Sequence, residues 1–220
     1  MHLSISTWAM PVLLLLLTIG CGEDHTEGVT AATVTYLPAE ATPSAEPSAS
    51  RTTLPIDLAT STLGFTGAKV SGSHDGTFTR FSGNIELDTA NVTASSVNVS
   101  IEIASMTIEP ARLAQHLLTA DFFDATTYPT AAFTSSTVTE GGTGTVGDIA
   151  VTHTITGDLT VHGQTHHITF PAVIDVVDGA VRARAEFSIN RRDFGIEYPG
   201  MPDDLIRDEV VVRFDVRAHG

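Results

Sequence analysis

The sequence is poor in cationic side chains: 11 Lys and Arg stand against 26 Asp and Glu, for a formal net charge of −15. Nucleic-acid binding needs Lys and Arg clustered against phosphates, so this balance argues against a nucleic-acid partner. It argues equally against electrostatic docking on anionic lipid. The acidity reads as a soluble, self-repelling surface. Cysteine is nearly absent. Cys21 stands alone, so an intramolecular disulfide cannot form and a Cys-rich zinc site is excluded. No apolar run reaches the ~20 residues that a membrane-spanning helix requires. A Gly-x-Ser-x-Gly elbow, a P-loop and a Gly-rich dinucleotide fingerprint are all missing. Because catalytic triads are defined by geometry, the missing elbow weighs only modestly against hydrolase chemistry.

What is present begins with an apolar run from Ala9 to Ile19, centred on Val12-Leu13-Leu14-Leu15-Leu16-Leu17. Its length is that of a signal-peptide hydrophobic region, which makes residues 1–20 an expected signal peptide. The run ends in Leu17-Thr18-Ile19-Gly20-Cys21. This resembles the lipobox of bacterial lipoproteins, in which a small residue precedes the cysteine that is lipidated and becomes the new N-terminus. Thr18 departs from the leucine usual there, and only His2 stands where Lys or Arg commonly precede the run. The resemblance implies lipidation at Cys21. Acyl chains, at ~0.8 kcal/mol per buried methylene, would anchor the protein to a membrane. Gly22, in place of an Asp, disfavours inner-membrane retention by the same resemblance. The expected location is the cell envelope, at the outer membrane in a Gram-negative host.

Residues 21–53 are rich in Thr, Ala, Pro, Ser and Glu, with Pro38, Pro43 and Pro47 as breaks. No apolar period is visible. Such a stretch buries too little surface to offset chain entropy and reads as a disordered tether.

From Leu54 onward, residues 54–220, apolar and polar residues alternate. Val97, Val99, Ile101 and Ile103 alternate with Asn98, Ser100 and Glu102. Ile155, Leu159 and Val161 oppose Thr154, Thr156, Asp158 and Thr160. Val181, Ala183, Ala185, Phe187 and Ile189 oppose Arg182, Arg184, Glu186 and Ser188, and Val210, Val212, Phe214 and Val216 oppose Arg213, Asp215 and Arg217. Each segment reads as a strand with one dry face, in the pattern of antiparallel sheets. Turn chemistry at Ser73-His74-Asp75-Gly76, Glu140-Gly141-Gly142, His162-Gly163-Gln164 and Asp178-Gly179 separates about seven to nine strands. Pro110 is placed to open one short helix, with Leu113 and Leu117 sharing a face. The fold class is all-β: an antiparallel barrel of about eight strands with a short helix at one end. Periodicity alone separates neither a hollow barrel from a filled one nor a barrel from a sandwich.

Four stretches, in order, carry a further resemblance. They are Gly76-Thr77-Phe78-Thr79-Arg80-Phe81-Ser82-Gly83-Asn84-Ile85; Leu117-Leu118-Thr119-Ala120-Asp121-Phe122-Phe123-Asp124, followed by Tyr128-Pro129 and Phe133; Gly157-Asp158-Leu159-Thr160-Val161-His162-Gly163; and Ile189-Asn190-Arg191-Arg192-Asp193-Phe194-Gly195-Ile196. Together they resemble the YceI-like polyisoprenoid-binding family over Leu54 to Ala218. The resemblance implies an extended, lipocalin-like barrel, exported to the periplasm, whose apolar cavity takes an isoprenoid chain such as a quinone tail or a polyprenol. After the Gly163 turn this chain has Thr165-His166-His167 where members often have Thr-Lys. No cofactor is expected beyond a bound isoprenoid lipid or quinone. An isoprenoid has almost no polar atoms, so buried area at ~25 cal/mol per Å² is what would hold it. Candidate lining residues are Phe81, Ile85, Leu87, Val99, Ile101, Phe133, Leu159, Phe187, Ile189 and Phe194. Leu117, Phe122 and Phe123 are placed to close one end. Plain core packing is the competing reading of each.

His153, His162, His166 and His167 fall around one expected hairpin, but their strand phasing scatters them, so a polar hairpin is favoured over a metal site. Arg191 or Arg192 could meet a ligand headgroup, such as a quinone carbonyl or a phosphate. Pairing with Asp193 or a backbone carbonyl is favoured. Asn91-Val92-Thr93 and Asn98-Val99-Ser100 match the glycosylation pattern by chance. The leading reading is a non-catalytic lipid binder. An envelope hydrolase or isomerase would need two titratable side chains converging in the pocket, and a scaffold or adhesin would have a filled barrel. The sequence leaves a homodimer open.

Overall fold

The computed structural model describes residues 24–35 and 51–220. The expected signal peptide and Cys21 lie outside the described residues.

The dry-and-wet alternation becomes a sheet built from β1 (Arg51–Pro55), β2 (Thr62–Lys69), β3 (Gly72–Phe78), β4 (Phe81–Asp88), β5 (Ser96–Glu102), β6 (Met106–Ile108), β7 (Thr130–Glu140), β8 (His153–Val161), β9 (Gln164–Val177), β10 (Ala180–Asn190) and β11 (Glu209–Ala218). Three pairs of these, β1 with β2, β3 with β4 and β5 with β6, are single staves interrupted by a short break, so eleven strands make eight staves. Every neighbouring pair is antiparallel, and staves adjacent in sequence are adjacent in space. The sheet then returns on itself. β11 pairs with β2 from Val211↔Thr66 to Asp215↔Thr62, Ala218 bridges to Ile56, and the Asp57 amide donates to the Arg217 carbonyl at 2.8 Å. The result is a closed up-and-down barrel, which leaves few unpaired edges.

Turn chemistry fixes the register. His162 and Gly163 both take left-handed backbone angles (φ 50° and 72°), as do Asp178 and Gly179 (φ 51° and 79°). Two successive positive φ values match the twist of a two-residue hairpin. Gly157 serves a different need. It sits at a register shift between β8 and β7, and a Cβ there would collide with the Thr134 carbonyl and the Ser135 backbone.

The helix is α1 (Ala111–Leu117). Pro110 does not open it, as the sequence suggests, but caps it in an extended conformation with ψ of 150°. Its fixed φ suits either place, and the chain enters α1 only after Pro110. Leu113 and Leu117 pack with Phe65, Met106, Ile108, Phe122 and Ile196 in a cluster at one end of the barrel.

The tether expected over residues 21–53 is corrected at both described pieces. Arg51–Pro55 is already β1, paired to β4. Residues 24–35 form a strap on the barrel wall, with strands Thr30–Ala31 and Thr33–Thr35. Composition gave no sign of this, because the strap's stability comes from backbone pairing to strands already in place.

Candidate functional site

The inward face of a barrel strand repeats every second residue, so a long strand of alternating sequence offers a continuous apolar wall. Val181, Ala183, Phe187 and Ile189 of β10 provide such a wall, and Val210, Val212, Phe214 and Val216 of β11 provide the next. Ile85 and Leu87 of β4, Val97, Val99 and Ile101 of β5, Phe133 of β7 and Leu159 and Val161 of β8 complete the circuit with β9. They enclose a cavity of about 220 Å³. From Val181 to Ile189 this bore runs about 26 Å at the usual rise of a strand, so it is long and slender. At one end it meets Val92, Ser95 and Ser96, and at the other Phe65, Phe78, Phe123 and Ile196.

The size can be put in molecular terms. A dry engineered cavity of ~150 Å³ holds benzene. On the same scale about 220 Å³ holds roughly nine carbons, close to two isoprene units. A longer chain must push side chains aside.

The polar groups near the bore are occupied. Arg191 is almost wholly buried. Its Nη1 donates to the Ile196 carbonyl (2.6 Å), its Nε to the Arg207 carbonyl (3.1 Å) and its Nη2 to Asp208 (2.8 Å). Burial lowers its pKa while the Asp208 carboxylate opposes that shift. An arginine stays charged regardless. Its partners are backbone carbonyls, as the sequence favours, and Asp208. Arg192 also pairs with Asp208, at 2.7 Å. Arg213 directs its Nε to Glu186 at 2.6 Å.

The histidines act as staples. The Nδ1 of His162 donates to the Phe194 carbonyl (3.1 Å), and the Nε2 of His166 to the Asp193 carbonyl (2.6 Å). The ring of His166 stands edge-on to Phe194 at 5.1 Å. Together they pin the 191–194 turn to the β8–β9 hairpin. His167 pairs instead with Asp158 at 2.7 Å. Among the described residues no group of three or more His, Cys, Asp or Glu converges as a metal site would require.

Ten of the thirteen candidate lining residues face the cavity: Ile85, Leu87, Val99, Ile101, Phe123, Phe133, Leu159, Phe187, Ile189 and Phe194. Phe81 does not. It is buried with Ile56, Leu63 and Val216, against Val99, Ile101 and Phe214. Leu117 and Phe122 pack in the end cluster, behind Phe123. None of the candidate lining residues read from the sequence comes from β9. Ile168, Phe170, Ile174 and Val176 all face the cavity. Phe170 stacks on Phe187 with centroids 4.3 Å apart and lies 5.5 Å from Phe133 and 5.9 Å from Phe214, making a ring cluster in mid-barrel.

Comparison with known proteins agrees with this geometry. The family model described as the YceI-like domain matches residues 54–218. A UPF0312 protein of Pseudomonas putida is 37% identical over 143 residues, covering 62% of this chain and 71% of the relative. A UPF0312 protein of Vibrio cholerae is 36% identical over 131 residues, covering 57% of this chain and 66% of the relative. Among solved structures, Burkholderia cenocepacia BcnA superposes with a TM-score of 0.65 at 25% identity, covering 74% of this chain and 99% of BcnA. A polyisoprenoid binding domain from Saccharophagus degradans superposes with a TM-score of 0.58 at 16% identity, covering 76% and 98%. The last likeness speaks for the fold alone.

Proposed function

Because the chain belongs to the YceI-like family, we propose that its barrel binds an apolar, isoprenoid-type lipid and holds or carries it in the bacterial cell envelope without chemically altering it. The carrying observation is the bore: about 220 Å³ and walled almost wholly by aliphatic and aromatic side chains. A polar substrate would leave its hydrogen bonds unmade in such a space, whereas a hydrocarbon loses nothing by entering it. The slender shape favours a linear chain over a compact ring system. The family likeness and the fold support hydrophobic ligand binding. The isoprenoid assignment draws on the S. degradans domain's description as polyisoprenoid binding and on the bore's shape. Catalysis would need titratable groups converging on the cavity, and Arg191 is committed to carbonyls and Asp208.

The envelope assignment rests on the sequence around Cys21. In this reading lipidated Cys21 anchors the barrel to a membrane from which the ligand is drawn. Two measurements test the proposal. Mass spectrometry of lipid extracted from the gently purified protein should find a prenyl chain. Finding none, together with no binding of added quinones or polyprenols, refutes it. Replacing Cys21 by Ser should move the protein from the membrane fraction to the soluble one, and an unchanged distribution removes the anchor.

A further inference from the structure

The barrel wall contains a window, and a piece of the chain's own sequence fills it. β9 and β10 pair directly only from Val173↔Arg184 to Val177↔Ala180. Beyond Val173 they part. The far end of the gap is bounded by the His166 donation to the Asp193 carbonyl. Between these limits lie residues 167–172 of β9, about 20 Å of strand. The strap stands in this gap. Thr30 and Ala31 run parallel to β10, opposite Phe187 and Ser188. Thr33, Val34 and Thr35 run antiparallel to β9, opposite Thr169, Ile168 and His167. The Ala32 amide donates to the Ser188 carbonyl at 2.8 Å. With one strand between them, the two flanking strands are held two strand spacings apart, about 10 Å.

We propose that this window is a lateral entrance to the bore for an apolar chain, and that the strap is its removable stave; the proposal rests on the ligand reading above. The flanking strands supply Ile168, Phe170, Phe187 and Ile189, which line the cavity, so the window opens onto the site itself. Withdrawing the strap frees one strand spacing, about 5 Å. A hydrocarbon chain is about 4 Å thick at van der Waals contact, so it passes lengthwise through a slot of that width. Entry at the α1 end meets the packed cluster of Leu117, Phe122 and Phe65 instead.

The strap is also lightly secured. Five of its residues are paired, Thr30, Ala31, Thr33, Val34 and Thr35, whereas β10 and β11 share a ladder from Val181↔Ala218 to Asn190↔Glu209. Thr30, Ala31, Thr33 and Thr35 are exposed, and only Ala32 and Val34 turn toward the core cluster of β9 and β10. Segments with few buried apolar contacts open first. A pin keeps the strap in place at its start: the side chain of His25 is buried, and its Nε2 donates to the Glu209 carbonyl at 2.9 Å. Residues 30–35 can therefore leave the window while residue 25 stays docked. The strap lies outside the 54–218 match to the family model, so the entrance is controlled by sequence that the shared domain does not include.

The test locks the stave. Thr33 and Thr169 face each other across the strap–β9 ladder, so T33C/T169C, made in the full chain carrying C21S, can be oxidised and reduced at will. Stopped-flow uptake of a dansyl-farnesyl probe should slow about tenfold or more on oxidation and recover with reductant, at unchanged equilibrium affinity. V34D, which weakens the strap's inward contact, should speed uptake. Equal rates in both redox states with binding intact, or no acceleration in V34D, overturn the lateral entrance and leave the ligand reading standing. A probe that fails to bind even the reduced chain overturns the ligand reading and the entrance with it.

Discussion

Replacing Phe170 by Ala separates a barrel that merely has a core from one built to be filled. Phe170 is 2% exposed and touches three other rings. Losing its burial costs about 1.5–3 kcal/mol, and the three lost ring contacts, at the low end of about 0.5 kcal/mol each, add about 1.5 kcal/mol. The total, about 4 kcal/mol, falls inside the usual range for Phe→Ala in a core. At ~2–4 °C per kcal/mol for a domain of this size, the ligand-free melting temperature should fall by roughly 8–16 °C. The void joins the existing cavity of about 220 Å³, so the variant should accept a longer chain. A ligand at 100 times its Kd returns about 2.7 kcal/mol. Thermal unfolding with geraniol (two isoprene units) and geranylgeraniol (four) reads both effects. F170A should be rescued more by the four-unit alcohol, and the unaltered protein should respond relatively better to the two-unit one. The same ranking of the two ligands in both proteins refutes the size argument, and a loss under about 1 kcal/mol refutes the packing argument.

Arg191→Met should cost about 3 kcal/mol or more in denaturant unfolding, because it strips the Ile196 and Arg207 carbonyls of their donor; a neutral result would mean that water replaces the guanidinium. Gly157→Ala should cost about 1–3 kcal/mol, since the added methyl collides with the β7 backbone; stability within error of the parent would mean the bulge relaxes freely. Acid should weaken the barrel through Asp215, whose hydrogen bonds from Arg182 (2.8 Å to Nε) hold its pKa below the ordinary 3.8. A depressed carboxylate stabilises the fold fully above its unfolded pKa and loses that contribution as pH falls through the folded one. Melting temperatures of D215N should therefore depend less on pH than those of the parent below about pH 4, and parallel acid limbs would count against the pair.

The staves most legible in the sequence are those with one face in water. β10 and β11 put Arg182, Arg184, Arg213 and Asp215 outside and Val181, Phe187, Val212 and Phe214 inside, so their alternation survives in the sequence. β9 hides because Phe170, Pro171, Ala172 and Val173 in succession, on both faces, are buried, which erases the period of two. Near Ala172 the β8–β9 ladder runs on into the 141–152 loop, whose Thr152 amide donates to the Ala172 carbonyl at 3.1 Å. Phe81 has the inward phase of a lining residue, but neighbouring side chains shut it off from the cavity. Its neighbour Ile56 comes from the break in the first stave and Leu63 from the start of β2 just beyond it, and no period predicts that break. The strap was illegible for a related reason: a strand that joins a ready-made sheet through its backbone needs little apolar pattern of its own.

The seam between β2 and β11 has a consequence for biogenesis. Thr66 meets Val211 across it, so the ring cannot be completed until residues far apart in the chain have both been synthesised. Contacts of such long sequence separation form slowly. A polypeptide whose ring stays open until its last strand is made therefore spends its synthesis without a closed core, and the final strand decides when the wall is complete.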